Sequence, residues 1–263
     1  MPLTIEELAT IDEDASNPIL RLEPDRSMLS FVGLTDSDVD RLRNELAEIV
    51  AKTGPSLVVE PIVHIQSRIE VGGEALARFP GSIGTREWFR IADAFGVKTD
   101  LELRIISDVA AQAASSEGFL SANVSPDTLF DPRCAEVLQQ QTGAELVLEL
   151  TDHESVPKLT VLRRHLDELR NLGVRVAVHV SSFGVDTTRL LMLAAPDVVK
   201  LDPALSAGLS QGAHDSAAAS NFFAYCRHEG VFVVAVGVSS PNELAALHDR
   251  GVDAVQGRHL NLR

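Results

Sequence analysis

After Pro55 the chain alternates between short apolar runs and segments in which apolar residues recur every three or four positions. The apolar runs, typical of buried strands, are LVVEPIVHI, FLSANVS, ELVLELT, VRVAVHV, DVVKL, VFVVAVGV and DAVQG. Helical periodicity is found near 85–95, 101–116, 127–141, 158–171, 187–194, 215–229 and 241–249. Strands that each lead into a helix indicate an α/β protein with a parallel sheet covered on both faces. Seven such units over about 205 residues favour a closed (β/α) barrel of TIM type.

The residues before this alternation form an acidic extension, 1–53. Within it, Thr35-Asp-Ser-Asp38 resembles a helix-capping sequence. Apolar residues follow at helical spacing, at Val39, Leu42, Leu46 and Ile49. The pattern predicts one helix over about 37–52 and places the barrel domain at 54–263. This helix either packs on the barrel or contacts a partner such as a transcription factor or a kinase.

Composition narrows the classes of function. The net charge of −15 argues against a nucleic-acid polymer as partner, because such binding depends on clustered Lys and Arg. A small anionic ligand stays open if a metal or a few local cations hold it. No apolar run is long enough to span a bilayer, and the first residues lack the apolar core of a signal peptide, so we expect a cytoplasmic protein away from membranes. Cys134 and Cys226 show no metal-binding spacing and are predicted to be free thiols.

Polar side chains recur at the ends of the predicted strands. They are Glu74, Asn123, Glu149, Ser181, Ser182, Lys200, Asp202, Ser239 and Gln256. In a barrel these strand ends meet at one mouth, and leaving so many polar groups there unpaired would be costly. Carboxylate and amide oxygens suit Mg²⁺ or Mn²⁺, and a lysine beside them can stabilise charge on a phosphodiester. The two serines lie in no G-x-S-x-G motif, which argues against a hydrolase nucleophile.

Six short motifs in order make the chain similar to the EAL domain, the cyclic di-GMP phosphodiesterase family. Glu74-Ala75-Leu76 is followed by Arg78, and the other matching segments are E-P-I-V-H-I, S-A-N-V-S-P, L-E-L-T-D, V-K-L-D and V-Q-G. The resemblance runs from about Val58 to the C-terminus. It implies a modified TIM-type barrel, often dimeric, with cyclic di-GMP bound at the mouth. Active members hydrolyse this ligand to pGpG with two Mg²⁺ or Mn²⁺ ions.

The resemblance also implies roles for individual residues. Glu74, Asn123 and Glu149 correspond to metal ligands of the family. Lys200 and Gln256 stand at catalytic positions. Leu76, Arg78 and Asp202 stand at positions that contact the ligand.

Several family positions have changed in this chain. The two aspartates of the family's D-D-F-G are matched to Ser181 and Ser182, and the two glutamates of A-E-G-V-E to Val236 and Ser239. Further substitutions fall at Glu60 (family Gln), Asp152 (family Glu) and Arg258 (family Tyr). In active members the first aspartate bridges both metals and the second binds one. What remains is half a site, with room for a single Mg²⁺ or Mn²⁺.

These changes predict a degenerate, non-catalytic member that acts in bacterial signalling by binding. It either senses cyclic di-GMP without cleaving it or works through protein contacts, with a homodimer as one form. We favour protein contacts, because Glu60, Glu74 and Glu149 without metal would repel a dianion. The alternative is an active phosphodiesterase with an altered metal site, in which Asp186 replaces a lost ligand.

Overall fold

A computed structural model describes residues 17–29, 35–140, 143–151, 159–212 and 216–257. Eight strands close into a barrel in the order of the sequence. They are β1 (Ser56–His64), β2 (Glu70–Arg78), β3 (Phe119–Val124), β4 (Leu146–Thr151), β5 (Arg175–Val180), β6 (Val198–Leu201), β7 (Phe232–Val236) and β8 (Ala254–Gln256). The predicted TIM-type barrel is confirmed.

The strand directions correct one detail of the sequence prediction. From β2 to β8 neighbouring strands are parallel, but β1 runs antiparallel to both β2 and β8. The sequence pattern placed Glu74 after the end of the first predicted strand. Instead Glu74 lies inside β2, opposite Glu60 of β1.

The sequence pattern did not predict β2, because two glycines interrupt the apolar residues of this strand. Gly72 lies against Phe119, and Gly73 lies against Val59 and the backbone of Glu60. A Cβ atom at either glycine would overlap these neighbours, so the close approach of β2 to β1 and β3 requires the glycines. Glycine lacks an apolar side chain, so the apolar run typical of a strand is broken there.

Helices surround the barrel. They are α1 (Asp36–Glu48), α2 (Thr85–Ala94), α3 (Lys98–Ala113), α4 (Pro126–Phe130), α5 (Pro132–Gln139), α6 (Leu159–Arg170), α7 (Val185–Ala194), α8 (Pro203–Ser210), α9 (Ala217–Glu229) and α10 (Pro241–Asp249). The sequence did not predict α8, whose Ala, Ser and Gly residues give little periodicity. Among the described helices, none combines the length and the hydrophobicity that crossing a bilayer would need.

The N-terminal helix α1 contributes to the main core. Leu42 and Leu46 are fully buried in the same apolar cluster as the helices of the barrel. The Arg43 guanidinium lies 5.9 Å from the centre of the Phe95 ring. The predicted packing of this helix on the barrel is thus what the structure has. The boundary between residues 53 and 54 stays a prediction, and it falls between a π-helical turn and β1.

Inside the barrel, one apolar layer lies beneath the mouth. It consists of Ile62, Phe119, Val147, Ala177, Val198, Val234 and Ala254. Because strand side chains alternate between the two faces, the residue two positions nearer the mouth on each strand also points inward. This rule brings together the polar side chains of the candidate site.

Both cysteines are buried free thiols, as predicted. Burial raises the pKa of Cys134 and of Cys226 to about 12. Because the thiolate is the reactive form, we expect neither cysteine to react with a thiol reagent in the native protein at about pH 8. A reagent that releases a chromophore when it reacts with a thiol measures the extent of reaction directly by absorbance. Both thiols should react after unfolding. Rapid reaction of one thiol before unfolding would contradict the prediction.

Candidate functional site

The Lys200 ammonium is the centre of the barrel mouth. It donates hydrogen bonds to Oε2 of Glu74 at 2.5 Å and to Oε2 of Glu149 at 2.7 Å. Lys200 and Glu149 are each 1% exposed, and Glu74 is 9% exposed. The three charges come from β6, β2 and β4, so closure of the barrel is what brings them together.

Two amide side chains complete the hydrogen bonding of Glu74. Asn123 Nδ2 donates to Oε1 at 2.9 Å, and Gln256 Nε2 donates to Oε2 at 2.9 Å. The same Gln256 nitrogen lies 3.0 Å from Oε2 of Glu60. Gln256 therefore links two carboxylates from neighbouring strands, and the substituted residue Glu60 becomes part of the mouth.

His179 of β5 occupies the mouth beside Glu149. Its Nδ1 lies 3.0 Å from Oε1 of Glu149, a hydrogen bond in which the ring nitrogen must carry the proton because the carboxylate accepts. The sequence motifs did not single out His179. The alternation of β5 could have done so, because His179 lies two residues beyond the interior residue Ala177, as Glu149 lies two beyond Val147.

Each buried charge in the mouth is stabilised by its partners. Burial by itself would raise the pKa of Glu74, but the Lys200 charge and the hydrogen bonds from Lys200, Gln256 and Asn123 hold that pKa below its ordinary value. Burial would lower the pKa of Lys200, but Glu149 and Glu74 outweigh it and raise the pKa. Glu74 and Lys200 are therefore both charged near neutral pH.

The described mouth carries more negative than positive charge. The carboxylates Glu60, Glu74 and Glu149 face one ammonium, Lys200, with the imidazole of His179 beside them. The ammonium of Lys200 contacts both Glu74 and Glu149, but its single positive charge offsets only part of the negative charge of the two carboxylates. An anionic ligand that approaches this mouth therefore meets an unfavourable potential.

Three predicted ligand-contact residues lie outside this hydrogen-bonded group. Leu76 and Arg78 continue the face of β2 beyond Glu74, and Arg78 is exposed and donates to the Ala77 carbonyl at 3.1 Å. The strand rise places Arg78 about 13 Å further along β2 than Glu74. Asp202 caps α8 and accepts from the backbone nitrogens of Ala204 at 2.7 Å and Leu205 at 3.1 Å.

The positions that the motifs matched to lost acids lie at or beyond the ends of their strands. Strand β5 ends at Val180, so Ser181 follows the strand and Ser182 is exposed. Val236 ends β7 half-buried; it is in register with Gln256 and two residues beyond the interior residue Val234, so it lies on the inward face of the mouth. Ser239 is exposed, and its backbone nitrogen and its hydroxyl donate to Glu243 at the start of α10.

Asp186 lies exposed in the first turn of α7, and two further substitutions, Asp152 and Arg258, lie outside the described residues. Across the ranges that the structure describes, no three His, Cys, Asp or Glu side chains are arranged so that they could hold a metal ion.

The sequence of this barrel is similar to a known protein family and to several characterised proteins. The family model of the EAL domain matches residues 43–261. A probable cyclic di-GMP phosphodiesterase of Escherichia coli K12, PdeI, is 26% identical over 226 residues, which cover 76% of this chain and 28% of PdeI. The RNase E specificity factor CsrD of the same organism is 22% identical, with 82% of this chain and 35% of CsrD covered. The chain thus spans about a third or less of either relative.

A solved structure has the same fold as this chain. The EAL domain of FimX from Xanthomonas citri, determined in complex with c-diGMP, superimposes with a TM-score of 0.75 at 17% identity, covering 84% of this chain and 92% of that one. Together with the match of the family model over most of the sequence, this shows that the chain belongs to the EAL-domain family.

Proposed function

We propose that this chain is a degenerate EAL protein that does not hydrolyse cyclic di-GMP and acts in bacterial signalling through protein contacts. One observation carries the proposal. All four oxygens of the retained carboxylates Glu74 and Glu149 already accept hydrogen bonds from side chains of the protein. A cytoplasmic location stays a prediction from the sequence.

The donor set argues against a two-metal centre. Two-metal catalysis needs ions about 3.5–4 Å apart, one at the attacking and one at the leaving oxygen. Here Lys200 lies between the carboxylates Glu74 and Glu149, and His179 and Asn123 direct N–H donors at their remaining oxygens. In this arrangement N–H groups and an ammonium occupy the carboxylate oxygens that a cation would need, so the residues as they are placed do not fit the pair of Mg²⁺ or Mn²⁺ ions that active members use.

Charge supports protein contacts over sensing of cyclic di-GMP. Glu60 is half-buried and shares the Gln256 amide with Glu74, so it adds a carboxylate that Lys200 does not contact. The ligand carries two phosphodiester charges and would have to enter this excess of negative charge. We infer weak binding or none.

A hydrolysis assay tests the catalytic part of the proposal. With Mg²⁺ or Mn²⁺ present, we expect the wild-type protein to release no more pGpG from cyclic di-GMP than its Glu74→Ala variant releases. The assay must be sensitive, because several residues at positions with metal or catalytic roles in the family are retained. They are Glu74, Asn123, Glu149, Lys200 and Gln256. Release of pGpG by the wild type that Glu74→Ala abolishes would show an active phosphodiesterase instead.

Calorimetric titration with cyclic di-GMP tests the ligand part separately. We expect no binding at micromolar concentrations, with or without Mg²⁺. A Glu60→Gln variant removes one negative charge and keeps an amide that can hydrogen bond, so we expect it to bind at least about ten-fold more tightly than the wild type. Micromolar or tighter binding of cyclic di-GMP by the wild type would contradict the proposal that the protein acts through protein contacts. It would mean that the protein senses the ligand instead.

A further inference from the structure

At the end of the barrel opposite the mouth, where the parallel strands begin, lies a cavity that we call the basal cavity. Its volume is about 470 Å³, and ligand pockets typically have volumes of about 300–1,000 Å³. Its walls include Val71, Phe119 and Phe232, together with Gly230 in the turn between α9 and β7. None of its lining residues, all within the described part of the chain, belongs to the hydrogen-bonded group of the mouth.

Charged side chains point into the basal cavity, because the alternation of the strands continues to this end of the barrel. Glu145 lies two residues before Val147, and Arg175 lies two residues before Ala177. Val147 and Ala177 belong to the apolar layer inside the barrel, so Glu145 and Arg175 face the barrel interior as well. The charged residues of the lining are Glu145, Arg175, Asp197 and Glu229.

The guanidinium of the lining, on Arg175, is held by the protein itself. It lies 5.0 Å from the centre of the Phe119 ring, and its Nη2 lies 3.3 Å from Oε2 of Glu145. An aromatic face with a carboxylate beside it is a favourable environment for a guanidinium. Arg175 and Glu145 therefore offset each other, and the charge balance of the cavity depends on Asp197 and Glu229.

These two carboxylates each keep one oxygen available. Oδ2 of Asp197 accepts from the backbone nitrogen of Val176 at 2.8 Å and lies 3.7 Å from Nε of Arg170, which is not part of the lining. Oε1 of Glu229 lies 2.8 Å from Nδ1 of His228. Within the described residues, no hydrogen bond reaches Oδ1 of Asp197 or Oε2 of Glu229. The lining thus has three carboxylates and one guanidinium, so it favours a cation over an anion.

We propose that the basal cavity receives an arginine side chain of a partner protein. A guanidinium can donate to both Asp197 and Glu229 with its planar fork, and the half-buried Phe232 ring offers it an aromatic surface. The net charge of −15 also favours the approach of a basic segment. The inference rests on the proposed function, because it names the chemistry of one protein contact, but its test does not involve the mouth.

Titration of the full chain with two small probes, followed by nuclear magnetic resonance, tests the cation site. Butylguanidinium carries the charged group of arginine, and butylurea has nearly the same shape without the charge. We expect millimolar butylguanidinium to shift the backbone amide signals of Gly230 and Phe232, and butylurea to leave them unchanged. Equal shifts from the two probes, or no shift from butylguanidinium, would overturn the site.

Charge-neutralising variants test the two carboxylates. Asp197→Asn keeps an oxygen that can accept from the Val176 backbone, and Glu229→Gln changes an exposed side chain, so both variants should fold. The double variant should raise the dissociation constant for butylguanidinium at least about ten-fold, because it removes both available carboxylates. Glu136→Gln, at an exposed acid of α5 outside the lining, is the matched control and should leave binding unchanged. Unchanged binding in a double variant with a native circular dichroism spectrum would overturn the assignment to this cavity.

A peptide probe distinguishes a partner's arginine from a small free cation. The peptide acetyl-Leu-Arg-Leu-amide presents the same guanidinium with neighbouring residues that can contact the apolar walls of the cavity. We expect it to bind at least about ten-fold more tightly than butylguanidinium. A peptide that binds no more tightly would overturn the protein partner and leave a small cation as the ligand. Release of pGpG in the hydrolysis assay would contradict the proposed function without changing these titrations, so the two failures are distinguishable.

Discussion

Replacing Lys200 with methionine is expected to lower the free energy of unfolding by about 3–5 kcal/mol. The side chain is 1% exposed and is the cation between Glu74 and Glu149. Methionine has a similar length and no charge, so two buried carboxylates would lose their compensation. Urea denaturation followed by circular dichroism measures the loss.

Two further variants isolate the electrostatic cause. Lys52→Met removes a lysine whose side chain is 37% exposed and lies 4.0 Å from Glu48, so we expect a change within about 0.5 kcal/mol. The triple variant Glu74→Gln, Glu149→Gln and Lys200→Met keeps the shape of the cluster without its charges and should recover much of the loss. A loss below about 1 kcal/mol for Lys200→Met would mean that the buried cluster contributes little.

The deficit of Lys200→Met should depend on pH in a defined direction. The pKa of Glu74 in the folded protein lies below the ordinary value of 4.5, so its stabilising contribution is complete above about pH 4.5 and disappears as the pH falls through the folded-state value. The pKa of Lys200 lies above 10.5, so its contribution is complete below about pH 10.5 and disappears as the pH rises through the folded-state value. The difference between wild type and variant should therefore narrow in acid, where carboxylates take up protons.

Replacing His179 with aspartate is expected to raise the affinity for Mn²⁺ at least about ten-fold. The change removes the N–H donor that faces Oε1 of Glu149 and adds a carboxylate at an inward position of β5. Carboxylate oxygens are the ligands that Mn²⁺ prefers. Electron paramagnetic resonance of free Mn²⁺ measures the affinity.

The control variants separate position from charge. His179→Asn removes the imidazole without adding charge and should leave Mn²⁺ binding close to that of the wild type. Ser181→Asp with Ser182→Asp restores the acids suggested by the family motif but places them after the end of β5, so we expect a gain smaller than three-fold. Equal affinity of His179→Asp and His179→Asn for Mn²⁺ would contradict the prediction, because it would show that a carboxylate at this position does not bind the metal.

Much of the barrel could be predicted from local patterns. Runs such as Leu146–Thr151 and Arg175–Val180 are short and apolar, and helical periodicity follows each of them. This combination is typical of buried parallel strands and distinguishes them from other elements. The retained polar residues Glu74, Glu149 and Lys200 were recognisable from their motifs. Strand β2 and helix α8 were not, because glycine and other small residues remove the periodic signal at both.

By itself, the sequence determined the closed barrel and seven of its eight strands, and it predicted that acidic positions of the family motifs are replaced. Those features depend on residue type and spacing along the chain, which a single sequence records. Only the tertiary structure decided that Lys200 is bonded to both carboxylates, that His179 reaches Glu149, and that Asp202 caps a helix. Each of these facts depends on which strands become neighbours and on where a strand ends. Such distances arise from closure of the barrel between residues as much as 126 positions apart, and no local pattern records them.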